Sequence, residues 1–187
     1  MQHSSIKRLI HTALVGVIAY LLARFTKFVI FPVAPFLKMD FGEAPLLLFS
    51  CIGDWKLGLT ALLVKELLSL TVSGSNAFGL IADFIVCGTF ILVTSKVLKD
   101  SSKFSRMLAA ISIGAMARII VSIPVNLVIL RLQFGTNAAD VFAQLVYILP
   151  FNLVKSFLGG ASILYLLPRL KGPLAKSLNN GGTSQPA

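Results

Sequence analysis

Asn152 and Lys155 stand three positions apart in YILPFNLVKSFLGG (147–160), a run that is otherwise apolar. On a helix that spacing puts both on one face about one turn apart. Together they offer an amide that donates and accepts and an ammonium that only donates. A buried ammonium with no acid nearby on its own helix needs several acceptors, and a small molecule rich in carbonyl and ring-nitrogen acceptors would supply them. Asn126, two residues after Pro124, belongs to the same set, because the short connector 131–141 makes its run an antiparallel neighbour of the last one. Counting from that connector at ~1.5 Å per residue, Asn126 is expected roughly 7 Å deep and Asn152 roughly 16 Å deep. All three can then line one cavity. The competing reading is interhelical hydrogen-bond glue, worth about 0.6 kcal/mol per group, which leaves Lys155 unexplained. On the ligand reading, Lys155→Met is expected to weaken binding by about 1.5–3 kcal/mol while the fold survives.

Four more ionisable groups lie inside apolar runs: Lys65, Glu66, Asp83 and Arg118. Each costs at least roughly 2.5 kcal/mol in mid-membrane if unpaired, so each must meet a partner, a cavity or the interface. Glu66 or Asp83 with Arg118 is the expected internal ion pair, with ligand contact as the alternative for Arg118. Lys65 and Glu66 are adjacent, about 100° apart on a helix, and are expected to face different neighbours. Cys51 and Cys87 each sit alone in an apolar run and read as packing residues, with neither disulfide nor metal spacing around them. The two histidines, His3 and His11, are both near the N-terminus, no nucleophile–base pairing stands out, and there is no phosphate-cradling G-x-x-x-x-G-K-[ST] run. The expectation is a protein that is not an enzyme, needs no cofactor or metal and does not itself hydrolyse ATP.

The elements that must position these groups follow from composition. The chain has 187 residues, 56% of them hydrophobic and 13% charged, with a mean hydropathy of +0.87. That is an integral membrane protein. Runs such as LIHTALVGVIAYLLA (9–23) are apolar on every side, which excludes the alternation of a membrane β-barrel. At roughly 20 residues per crossing the length suits an all-α six-helix bundle, with segments at about 8–30, 43–53, 57–72, 76–97, 105–130 and 142–167. The second is short and is expected to tilt or to run into the third through GDWK (53–56). The connector 31–45 holds three prolines and is amphipathic, the mark of a loop folded onto the protein. Residues 1–7 read as an N-terminal tail, 8–170 as the transmembrane domain and 171–187 as a disordered tail. The formal charge of +10 comes from cations at the ends of apolar runs rather than from a basic domain, so nucleic acid is not expected. Ten lysines and arginines flank the side that both termini share and four flank the other, which predicts cytoplasmic termini.

The stretch APFLKMDFGEAPLLL (34–48) resembles the first extracellular loop and second helix of riboflavin-type S components, the membrane-embedded substrate-binding subunits of energy-coupling-factor vitamin transporters. That group carries a proline and a leucine before an Asp-Phe-Ser-Asp-x-Pro-like run, and this chain has Asp40, Phe41, Gly42, Glu43 and Pro45. LLVKELLSL (62–70), LIADFIVCGTF (80–90) and PFNLVKS (150–156) extend the likeness over about 5–170; Asp83 departs from the amide common in relatives. The resemblance implies a multi-pass protein of a prokaryotic cell membrane that captures riboflavin from outside, under a lid formed by the first loop. In it Asn126, Asn152 and Lys155 would contact the flavin ring, with Leu37, Met39 and Asp40 above. Phe36, Phe41, Phe78, Phe84, Tyr147 and Phe151 are available for stacking. Asp40 with Glu43 also reads as a capping box, which is compatible with ligand contact. A transmembrane coupling subunit and two cytoplasmic ATPases are the implied partners. Ala13, Gly16, Ala19 and Ala23 on the first helix offer the small-residue surface for docking. The alternatives are another vitamin such as pantothenate, its carboxylate paired by the lysine, or a stand-alone proton-coupled carrier using Glu66, Asp83 and Arg118.

Overall fold

The computed structural model describes residues 2–35, 37–72, 76–99, 101–135 and 137–179. The order is α1 (Gln2–Phe25), β1 (Phe28–Val29), β2 (Lys38–Met39), α2 (Glu43–Ile52), α3 (Trp55–Leu70), α4 (Ala77–Leu98), α5 (Phe104–Phe134) and α6 (Ala138–Asn179). α1, α4, α5 and α6 are long and apolar enough to cross a membrane. Their outward side chains, among them Leu14 and Leu21 on α1, Ile120 on α5 and Val146 on α6, are exposed hydrophobics that lipid would cover.

α2 is the short segment expected from the sequence, ended by Gly53 and joined to α3 within two residues. It packs against α1, α3, α4 and α6, which is why EAPLLLFSCI is apolar all round. Pro45 is tolerated there because the amides of a first helical turn lack intrahelical partners. α4 packs on α3 and α5, and α5 on α6.

Three boundaries differ from the sequence reading. The first helix stops at Phe25 instead of about 30, and Phe28–Val29 pairs antiparallel with Lys38–Met39. A short apolar run such as FVIF fits helix and strand equally in hydropathy, and its β-branched pair before Pro32 favours the extended form. Thr26 pins the turn: its hydroxyl donates to Leu22 O and accepts from Phe41 N. Residues 2–7, read as a tail, are helical, and α6 runs on through Pro168 and Pro173 to Asn179, past the boundary drawn at 170. The rest of the tail, 180–187, lies outside the described residues.

The small residues of α1 serve the chain's own packing. Ala19 and Ala23 are buried, and a Cβ on Gly42 would come within 2.6 Å of Ala19 O and 2.8 Å of Ala23 Cβ. Gly16 is buried likewise against Ala61 and Val64 of α3. These three let the loop 26–42, the lid of the sequence reading, and α3 approach α1, and of the four residues expected at the docking surface Ala13 is exposed. Gly42→Ala is expected to destabilise the protein by about 1–3 kcal/mol, because the obstructing Ala19 carbonyl is backbone and cannot swing aside. Thermal unfolding in detergent checks it.

Two apolar clusters fill the interior. One gathers Leu46, Phe49, Leu62, Phe90, Ile111 and Ile163; the other gathers Leu37, Met39, Leu130, Val141, Ile148 and Phe151 beneath the lid. Arg118 on α5 and Lys155 on α6 fall between the two along their helices, so a charged layer separates the apolar halves.

Candidate functional site

Each charge in that layer is answered from another element. Arg118 of α5 donates from Nη1 to Glu43 Oε2 at 2.6 Å and from Nη2 to Glu43 Oε1 at 2.8 Å, a two-point grip on α2. Its Nε donates to Asn152 Oδ1 of α6 at 2.9 Å. Lys155 Nζ lies 2.9 Å from Glu43 Oε1, 3.2 Å from Asp83 Oδ1 and 3.5 Å from Asp40 Oδ2. Lys65 Nζ donates to Glu66 Oε1 at 2.7 Å and Asp83 Oδ2 at 2.6 Å. Four carboxylates and three cations thus form one buried network across α2, α3, α4, α5, α6 and the lid.

This arrangement corrects four expectations. Arg118 pairs with Glu43, not with Glu66 or Asp83, which Lys65 bridges instead. Adjacent Lys65 and Glu66 do meet: their backbone directions diverge, but the lysine's four-carbon stem bends round. The capping box does not form, since the helix opens at Glu43 and its carboxylate goes to Arg118; a guanidinium offers two charge-assisted bonds where the backbone offers one. Asp40 Oδ1 instead accepts from Gly42 N at 2.9 Å and holds the turn. Lys155, finally, draws its acceptors from three acids of the chain itself.

Beside the network opens a cavity of about 710 Å³, within the range that holds a drug-sized ligand. Asn126, Asn152, Lys155, Leu37 and Asp40 line it as expected, and so do Glu66, Asp83 and Arg118. Met39 is wholly buried in the apolar cluster under the lid and is not on the cavity wall. Of the six aromatics, Phe151 lines the cavity; Tyr147 pairs with Phe31 at 5.9 Å, Phe41 with Phe28 at 6.5 Å, and Phe84 packs on the main core. Phe78, exposed at the start of α4, is also off the wall. Phe36 lies outside the described residues.

The lining mixes apolar and polar groups on both sides: Ile129, Leu130, Ile148 and Phe151 with Arg118, Gln133, Lys155 and the two asparagines on α5 and α6, and Leu80, Ala82 and Val86 with Lys65, Glu66, Ser69 and Asp83 on α3 and α4, Asn76 capping the latter. Arg24, Lys27 and Lys38, all exposed, stand on the lining where α1 ends and the hairpin begins. Asn126 Nδ2 donates to Ser122 O at 2.7 Å and Asn152 Nδ2 to Ile148 O at 3.0 Å, which fixes both amides against their helices. Sequence reasoning passed over Glu43 as an ion partner and Lys65 as a lining group; the signal was there, since a charge inside an apolar run must be answered by some other element.

A membrane helical bundle enclosing one large cavity, with amides, charges and apolar side chains converging on it, is the build of a membrane-embedded small-molecule-binding protein. The chain matches the family described as ECF transporter, substrate-specific component, over residues 7–170, and belongs to that family. It is similar to the riboflavin transporter RibU of Staphylococcus aureus (strain TCH60), 29% identical over 86% of this chain and 87% of that one. It is also similar to the riboflavin transporter FmnP of Bacillus subtilis (strain 168), at 26% identity over 80% and 84%. Among solved structures, the S component of a bacterial ECF transporter superposes with a TM-score of 0.78 at 28% identity, covering 91% of this chain and 98% of that one. It is a transporter component, not an enzyme.

Proposed function

We propose that this chain captures riboflavin from the outer side of the membrane, with cytoplasmic termini, and delivers it by docking on a transmembrane coupling subunit driven by two ATPases. The observation that carries the reading is the cavity, with apolar side chains and two amides together on its lining. An isoalloxazine is flat and mostly apolar with one edge of alternating carbonyls and nitrogens; Ile129, Leu130, Ile148 and Phe151 supply apolar surface beside Asn126 and Asn152, whose amides pair with such an edge. The hydroxylated side chain of riboflavin suits the polar lining groups Ser69, Asn76, Glu66 and Asp83. The names of the similar proteins support the same ligand.

The decisive test is the purified protein itself. Mass spectrometry of copurified small molecules and the yellow absorbance of bound flavin are expected to find riboflavin, and quenching of its fluorescence to report tight binding. A protein that neither copurifies with a flavin nor quenches one overturns the reading. Uptake into liposomes is expected to require ATP and partner subunits; uptake by this chain alone under a pH gradient would favour the stand-alone carrier. Within the site, Asn126→Leu is expected to weaken riboflavin binding by about 1–2 kcal/mol with little change in unfolding temperature, because Asn126 is half-buried and its one intrachain bond is to its own helix.

A further inference from the structure

Arg118 is 1% exposed and touches two helices at once. Glu43 holds both Nη atoms, at 2.6 and 2.8 Å, so the plane of the guanidinium is fixed and Nε points along a fixed line to Asn152. The Phe90 ring lies 5.6 Å from Cζ, within cation–π range. A guanidinium has donors only, so the Asn152 atom that meets Nε must be the carbonyl oxygen, at 2.9 Å. The two ends of a primary amide have nearly the same shape, and an unrestrained Asn152 could present either to the cavity. Arg118 removes that choice. The Ile148 carbonyl enforces the same orientation by accepting one Nδ2 hydrogen at 3.0 Å. What Asn152 has left to offer the cavity is its second N–H.

We propose that Arg118, backed by Glu43, is a positioning residue that sets the polarity of the Asn152 amide, so that the site selects a ligand edge with a hydrogen-bond acceptor at that point. The inference rests on the ligand-binding reading above but concerns a residue that need not touch the ligand. Without Arg118 only the bond to the Ile148 carbonyl holds that orientation, the amide turns its oxygen to the cavity more readily, and the site loses selectivity as well as affinity.

The test is a cycle of Arg118→Lys, Asn152→Leu and the double variant, read by riboflavin titration and thermal unfolding. Lysine keeps a cation opposite Glu43 but lacks the planar fork that serves both Glu43 oxygens and Asn152. Each single substitution is expected to lower riboflavin affinity about 10-fold, the size of one good hydrogen bond, and the double no more than Asn152→Leu alone. The unfolding temperature of Arg118→Lys is expected to stay near that of the parent. Losses that add, or that track a fall in unfolding temperature, would mean a merely structural arginine and overturn the proposal. A readout without ligand separates this from the functional reading: in protein labelled with ¹⁵N-asparagine, the pair of Asn152 side-chain amide signals is expected to shift and to exchange faster with solvent in Arg118→Lys. If those signals do not change, Arg118 does not orient the amide. If they shift in that way in a chain that never binds riboflavin, the ligand assignment fails while the orienting role of Arg118 stands.

Discussion

Lys155→Met is expected to destabilise the bundle by about 3–5 kcal/mol, the penalty for removing one partner of a buried ionic network, as well as abolish ligand binding. The ammonium lies within 3.5 Å of carboxylates from the lid, α2 and α4, and its side chain is 4% exposed. Without it, Asp40, Glu43, Glu66 and Asp83 face only Arg118 and Lys65, and the excess negative charge is buried between two apolar clusters. This replaces the expectation from sequence that the fold would tolerate the change. Thermal unfolding in detergent micelles measures it, and the double variant Lys155→Met/Asp83→Asn provides the control: removing one acid is expected to restore much of the lost stability. Should Lys155→Met unfold at the parent temperature, the three carboxylates are not relying on that ammonium and the network is misread.

What was legible in the sequence, and what was not, follows from the range of the forces involved. Hydropathy is a property of a segment, so α4 and α5 fall within a few residues of their expected bounds, and the short α2 with its abrupt turn at Gly53 could be read from GDWK. The convergence of Asn126, Asn152 and Lys155 on one cavity was legible too, since helical spacing and a short connector fix which faces meet. Ion partners are not segment properties. The desolvation cost of a charge in lipid says that Arg118 and Lys155 must be answered, but which acid answers depends on the depth of each helix relative to the others. Glu43 was the hardest to read: it lies 75 residues from Arg118, and its place beside Asp40 matched a local capping pattern. The aromatic residues misled for the opposite reason, because phenylalanine is ordinary in any membrane interior and of the five described only Phe151 reaches the wall.

Pantothenate, presented with riboflavin, is expected not to compete even at a thousandfold excess, although both are vitamins with hydroxyls and amide-like carbonyls. Its carboxylate is the difference. Placed against Lys155, a carboxylate would sit about 5 Å from the carboxylates of Asp40, Glu43 and Asp83, which already surround that ammonium. At an effective dielectric of about 20, each such repulsion is roughly 3 kcal/mol, and the attraction to one ammonium at contact is roughly 5 kcal/mol. Arg118 and Lys65, bonded to Glu43 and Asp83, offset part of those three repulsions, but the network as a whole holds one more acid than base. Arg24, Lys27 and Lys38 on the lining are exposed to solvent, where screening limits what they return to an anion that must give up its own hydration. A neutral, acceptor-edged ring has no such penalty. Competition titration with bound riboflavin as the fluorescent reporter decides the matter, and Asp83→Asn gives the sign: removing one carboxylate is expected to improve pantothenate binding relative to riboflavin. Displacement of riboflavin by equimolar pantothenate in the unsubstituted protein would show that Lys155 is open to an anion and that the charged layer does not select the ligand.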